Sequence, residues 1–402
     1  MKNFLIGRQQ ILDENLDTVA YEILLRDNNF DLNHQDQASS ATDQVISDII
    51  VNIGLNNIVQ QHRAFINFTA GNLLEKTPLN LPKDRIVIEV LEDVEINLKI
   101  IALLRDFSQQ GYTIALDEFI LDPQWCPLLE FVDIIKLDIM QMPMDDTLKL
   151  IEQLKPYELT LLAEKVETKE EFQILKKAGC QLFQGFFFNK PEIISGKRSE
   201  INQTAIIDLL AVVNNADAEF DEIAGVISKD AGLTYNLLNY INSAFFALPS
   251  RVETIPHAIS LLGLSEIKRW TNILSLSALN SKPQAVLQNI LIRAKMCEQM
   301  AEHFEQDKDH MFLIGLLSGL DIILDMPLDE ALEQLPLADN LIDAILNHEN
   351  TAGQILAYVL CYEKWDFCHC PKQLQLSADI ASKLYLQSIE WSQSTLEQTT
   401  KK

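Results

Sequence analysis

Short apolar runs in the first 190 residues each carry one or two polar side chains at a similar place: Glu22, Asn67, Glu89, Asp117 with Glu118, Lys136 with Asp138, Glu164 and Gln184. Carboxylates and an amide supply the oxygen ligands that a hard divalent cation takes, whether Mg2+, Mn2+ or Ca2+. A lysine among them could orient a water molecule or stabilise anionic charge. Two ions about 4 Å apart would clamp the attacking and leaving oxygens of a phosphodiester. Taken singly, each residue reads as an ordinary rim charge. The recurrence of one offset from strand to strand is what argues for a site.

The elements that must position these residues follow from periodicity. The runs FLIGRQQIL, VAYEILLRD, AFINFT, RIVIEV, TIALDE, DIIKLD, LTLLAEKV and LFQGFFF read as eight strands, with amphipathic helical stretches among them. That alternation fits a barrel of the (β/α)8 type better than an open sheet. One repeat is legible in full between Leu161 and Pro191. An apolar strand ends in Glu164, Thr168 and Glu171 form a capping box, Gly179 stops the helix, and an aromatic strand follows. In such barrels chemistry is placed at the carboxyl ends of the strands.

Composition narrows the class. The chain has 402 residues, 48% hydrophobic, with 13 Gly and 13 Pro, enough for two domains with full cores. No apolar run approaches twenty residues, so no membrane span is expected, and Met1-Lys2-Asn3 does not open a signal peptide. The expected location is cytoplasmic, and six scattered cysteines suit reduced thiols. A net charge of -26 argues against nucleic acid as a partner and favours proteins.

The first half resembles the EAL domains, phosphodiesterases that open cyclic di-GMP. Tyr21-Glu22-Ile23-Leu24-Leu25-Arg26 is similar to the family signature. Phe65-Ile66-Asn67-Phe68, Val87-Ile88-Glu89-Val90, Ala115-Leu116-Asp117-Glu118-Phe119, Ile135-Lys136-Leu137-Asp138, Ala163-Glu164-Lys165-Val166-Glu167-Thr168 and Gln184-Gly185-Phe186 resemble its later motifs, in order. The resemblance implies metal ligation by Glu22, Asn67, Glu89, Asp117, Glu118 and Glu164, with Mg2+ or Mn2+ as cofactor. It also implies water activation by Lys136, a Gln184 beside the scissile phosphate, and ligand contacts from Arg26 and Gln9. Catalytic roles would therefore fall to Lys136, Glu164 and Gln184.

Three departures bear on activity. Glu118 stands where the family has a second aspartate, and Ile120-Leu121-Asp122-Pro123-Gln124 replaces a glycine-rich loop. Lys165 follows the ligand carboxylate where the family has a small residue. Its long stem could reach out of the mouth to a rim carboxylate, or its ammonium could replace a metal as a tethered cation neutralising the carboxylate ring.

After residues 196–204, a stretch of glycine and charges read as a linker, β-runs vanish and helical spacing continues through 205–402. Val226 to Thr234, Leu237 to Phe246 and Ile255 to Leu264 resemble an HDOD domain, an all-α fold related to metal-dependent HD phosphohydrolases. Where an HD enzyme carries a His-Asp pair, this chain has Ser318 and Gly319, so the helical half is expected to be non-catalytic and to contact proteins. Asn242 and Ser243 read as helix-end residues, His257 as the start of a helix, and Cys361 with Cys368-His369-Cys370 as a packed corner rather than a zinc site. The whole is similar to bacterial two-domain signalling proteins. Within that class the expectation is a barrel (residues 1–195) with weak or no cyclic di-GMP hydrolysis, the alternative being an active phosphodiesterase making pGpG. Oligomeric state, a homodimer included, stays open.

Overall fold

The computed structural model describes residues 4–27, 54–120, 125–185, 210–215, 222–225, 252, 254–278, 283–324, 326–333, 335, 337–367, 369–371, 374 and 376–400. Contacts divide the chain into one compact unit of residues Met1–Phe188 with Leu376–Leu386, and a second of Asn189–Gln375 with Gln387–Lys402. The linker stretch, Asn242, Ser243, Cys368 and the loop Leu121 to Gln124 lie outside the described residues.

The first unit holds a closed barrel of eight strands: β1 Phe4–Asp13, β2 Thr18–Asp27, β3 Arg63–Phe68, β4 Ile86–Val90, β5 Thr113–Leu116, β6 Ile134–Asp138, β7 Thr160–Val166 and β8 Leu182–Gly185. It departs from a regular (β/α)8 barrel at one strand. β1 runs antiparallel to both β2 and β8, and the other neighbours pair in parallel. The reason is local: four residues separate β1 from β2, too few for a crossover helix, so the chain must return as a hairpin. Asp13 fixes that turn by accepting the N–H groups of Asn15 and Asp17.

The connecting helices are set by their caps. In α1, Lys169–Ala178, the Thr168 hydroxyl accepts the Glu171 N–H while the Glu171 carboxylate accepts the Thr168 N–H, the reciprocal pair anticipated from the sequence. Gly179 closes this helix at φ 120, a conformation a side chain resists. Phe172 and Leu175 of α1 are buried, and Phe172 meets Phe183 of β8 edge-on at 4.5 Å.

The second unit is helical where described. Its elements include α2 Leu264–Ala278, α3 Gln284–Ala301, α4 Lys308–Leu317, α5 Leu320–Leu324 and α6 Asn350–Glu363. Apolar helical spacing runs unbroken from Met311 to Leu324, yet the chain breaks between α4 and α5 at Ser318 and Gly319, where a Cβ on Gly319 would lie 2.6 Å from Ile290. Ser265 stands in the first turn of α2 and donates to Asp309. No described helix is long and apolar enough to cross a membrane.

Candidate active site in the barrel mouth

The pleat explains how the polar residues are delivered. Ile11, Ala20, Phe65, Val87, Ala115, Ile134 and Leu162 form one buried cluster, with Leu182 packed against it, one residue from each strand. Two positions further along each strand, on the same side of the pleat, come Glu22, Asn67, Glu89, Asp117, Lys136, Glu164 and Gln184. On the antiparallel β1 the count runs backwards, to Gln9, which pairs in register with Glu22. An apolar layer thus supports a complete polar layer at the carboxyl ends of the parallel strands.

Lys136 is the hub of that layer. Its Nζ lies 2.8 Å from Glu164, 3.0 Å from Asp117 and 3.5 Å from Glu22, and it also contacts Glu89. The lysine side chain is 1% exposed and that of Glu89 is fully buried, so these charges interact with little solvent screening. Burial pulls Lys136 down, yet the attraction of Glu164, Glu22, Glu89 and Asp117 together outweighs it and its pKa ends well above the usual lysine value. Burial pushes Glu89 well above the carboxylate range, with Glu22 adding to the shift and Lys136 opposing it. Burial likewise raises Glu164 to about 8, against the pull of Lys136.

Gln184 donates from Nε2 to Gln9 at 2.9 Å and to Glu22 at 2.7 Å, and Asn67 donates to Glu22 at 3.5 Å. Gly185 allows β8 to approach β7 here: at φ 152, a Cβ would sit 2.1 Å from the Val166 carbonyl oxygen. Arg26 is the penultimate residue of β2, pairing with Leu5, and its side chain lies outside the described residues.

A second ionic group lies beside the ring. Lys165 Nζ contacts Asp138 and lies 3.7 Å from Glu118, and Gln141 donates to Glu118. The Lys165 side chain is 55% exposed. Of the two lysines, it is Lys136 that neutralises the inner ring, and Lys165 that serves the rim. Sequence reasoning noted Asp138 but gave it no role; Gln141 was missed, and its sole signal is a polar residue just beyond β6.

The donor set suits a hard cation. Four carboxylates and one ammonium leave the inner layer with three uncompensated negative charges when all are ionised. Three buried oxygens there, Glu89 Oε2, Asn67 Oδ1 and Gln184 Oε1, have no hydrogen-bond partner among the described residues. All three are acceptors, which is what a cation would satisfy. As the side chains stand, no three acidic, His or Cys groups among the described residues are spaced to cage an ion. The physical reason is that Lys136 occupies the centre, so an ion must displace its ammonium.

In the helical unit, the position of Ser318 serves structure. Arg293 makes a bidentate pair with Glu363 at 2.8 and 2.9 Å and donates to Ser318 Oγ at 3.1 Å. His257 is exposed within the helix Ile255–Leu262. At the cysteine corner, Trp365 and Phe367 stack edge-on at 5.2 Å, and His369 Nδ1 lies 2.7 Å from Asp366.

A closed barrel with one antiparallel strand, whose eight strands present Gln, Glu, Asn, Glu, Asp, Lys, Glu and Gln in one layer, defines an EAL-type domain. The family model of the EAL domain matches residues 32–191 and that of the HDOD domain matches residues 202–351. The chain is 32% identical over 400 residues to the uncharacterized protein YuxH of Bacillus subtilis, covering 96% of this chain and 97% of that one. It is 32% identical over 401 residues to the cyclic di-GMP phosphodiesterase CdgJ of Vibrio cholerae, covering 96% and 92%. Klebsiella pneumoniae BlrP1, solved as a calcium and cyclic di-GMP complex, aligns at a TM-score of 0.37 and 23% identity, covering 46% of this chain and 54% of that one. The protein belongs to the EAL–HDOD family.

Proposed function

We propose that the barrel hydrolyses one phosphodiester bond of cyclic di-GMP to give linear pGpG, and that the helical domain is a non-catalytic protein-contact module of the same signalling protein. The observation that carries this reading is the complete polar layer around Lys136, with its excess negative charge and three unpartnered acceptor oxygens. A relative named as a cyclic di-GMP phosphodiesterase, aligned over 96% of this chain and 92% of its own length, supports it.

Glu22, Asn67, Glu89, Asp117 and Glu164 would hold Mg2+ or Mn2+, which when bound supplies Lewis-acid activation of water and of a phosphoryl oxygen. Lys136, released from part of its carboxylate ring, donates hydrogen bonds from Nζ to the attacking water oxygen and keeps it facing phosphorus. Gln184 now shares its two amide hydrogens between Gln9 and Glu22; once the ion takes the Glu22 carboxylate, the N–H freed from Glu22 would donate to a phosphate oxygen while Gln9 keeps the amide oriented. Arg26, whose side chain lies outside the described residues, would by the family resemblance contact the second phosphate. The water oxygen bonds to phosphorus as the bond to the 3′ oxygen breaks, and the water proton leaves with that oxygen.

One observation favours the other reading, a barrel that binds the dinucleotide with weak or no turnover: Glu118, where the family has its second aspartate, is already engaged by Lys165 and Gln141. Turnover by the purified full chain with Mg2+ and then Mn2+, followed as pGpG by chromatography, separates the two. Product formation abolished by Glu22→Ala is the expected result. Absence of product with both ions would overturn the hydrolase reading.

A further inference from the structure

The mouth contains two ionic groups of different character. In the inner ring Lys136 is shared among four carboxylates. On the rim, Lys165 is shared between two, Asp138 and Glu118. Asp138 is 1% exposed, and its other oxygen accepts the Met140 N–H at 2.8 Å. A carboxylate so buried requires a cation beside it.

Backbone geometry shows that the rim lysine is placed there by construction. Lys165 directly follows the inward-facing Glu164, so a regular strand would point it off the barrel. Instead the β7–β8 register slips between Ala163 and Val166, and Lys165 adopts φ 55. Glu118, immediately after Asp117, adopts φ 42. Left-handed backbone at two non-glycine residues, one bringing Lys165 to Asp138 and the other bringing Glu118 within reach of Lys165, is a costly local arrangement that the ion triad holds in place.

We propose that Lys165 is a built-in cation filling the rim half of this carboxylate cluster, so that the mouth accepts one divalent ion in the Lys136 ring and excludes a second from the Asp138–Glu118 pair. The inference rests on the metal-dependent reading of the ring. The ring has three negative charges in excess and the rim pair one, so the first ion goes to the ring. A second ion at the rim would meet the Lys165 ammonium at contact distance, a repulsion between fixed charges in a poorly screened site.

The test counts ions. Chelator-treated full-length protein is titrated with Mn2+ by calorimetry, with free and spin-coupled Mn2+ read by electron paramagnetic resonance. Wild type is expected to bind one ion per chain and Lys165→Arg also one. Lys165→Gly, which suits the left-handed backbone, and Lys165→Met, which keeps the stem without the charge, are each expected to bind two, with a spin-coupled signal. Two ions in wild type, or one in the uncharged variants, overturns the inference and leaves the metal-dependent reading intact. No ion in any of the four proteins overturns that reading itself.

Discussion

Replacing Lys136 by Met removes the ammonium and keeps a side chain of similar length. Each of the three contacts at 2.8 to 3.5 Å is worth ~5 kcal/mol before desolvation at an effective dielectric of about 20. Desolvation and mutual repulsion of the carboxylates cancel most of that, and removing one partner of a buried ionic group costs about 3–5 kcal/mol net. For a domain of this size that is a fall in the barrel's Tm of roughly 6–20 °C in chelator. Protonation of Glu89 and Glu164, both already pushed up by burial, relieves part of the charge, so the loss is smaller at pH 5.5 than at pH 8.5. Mn2+ should raise the Tm of the variant more than that of wild type, since the ion no longer has an ammonium to displace. Scanning calorimetry of both proteins in chelator and in Mn2+ reads all three effects. A variant as stable as wild type in chelator, or one that gains no more from Mn2+, would refute the account of Lys136 as the cation of the ring.

Glu164 gives a pH dependence in metal-free protein. Its pKa is raised from 4.5 to about 8, so between those values the folded state keeps a proton that the unfolded chain has released, and stability falls as pH rises through the window. Calorimetric Tm should decline from pH 5 to pH 8 in chelator, with a shallower slope in Glu164→Gln; equal slopes would argue against it. Gly185→Ala forces a Cβ onto the Val166 carbonyl at an unfavourable φ, and about 1–3 kcal/mol of barrel stability should be lost, a Tm drop of roughly 2–12 °C by circular dichroism. In the helical unit, Arg293→Met strands the Glu363 carboxylate; since Glu363 is partly exposed, the cost sits at the low end for a broken buried pair, about 3 kcal/mol, measured as a lower urea midpoint.

What the sequence discloses and what it withholds at this mouth have a common physical origin. Glu22, Asn67, Glu89, Asp117, Lys136, Glu164 and Gln184 are legible because a pleated strand repeats every two residues, so each polar side chain stands a fixed step beyond an apolar one that must be buried. The capping box at Thr168 and Glu171 is legible for the same kind of reason, a local hydrogen-bond demand met by residue types three apart. The antiparallel β1 was implicit in the four residues before β2, too short for any helix. The placement of the two lysines was not legible. Periodicity assigns Lys136 to the inward face, but it cannot show that one ammonium satisfies four carboxylates at once, since that depends on closure of the barrel. Lys165 obeys no periodicity, because a bulge and a left-handed residue carry it to the rim.

That difference bears on what each lysine can do. Lys136 is held from within a regular strand and is buried, so its position survives loss of any single carboxylate. The position of Lys165 depends on Asp138 and Glu118 to offset a strained backbone. Asp138→Asn should therefore release the rim lysine into solvent, raising its reactivity toward an acylating reagent several-fold over wild type while Lys136 stays protected, as peptide mass spectrometry would show. Equal labelling of Lys165 in the two proteins would mean that the left-handed turn, and not the carboxylate pair, holds the ammonium at the rim.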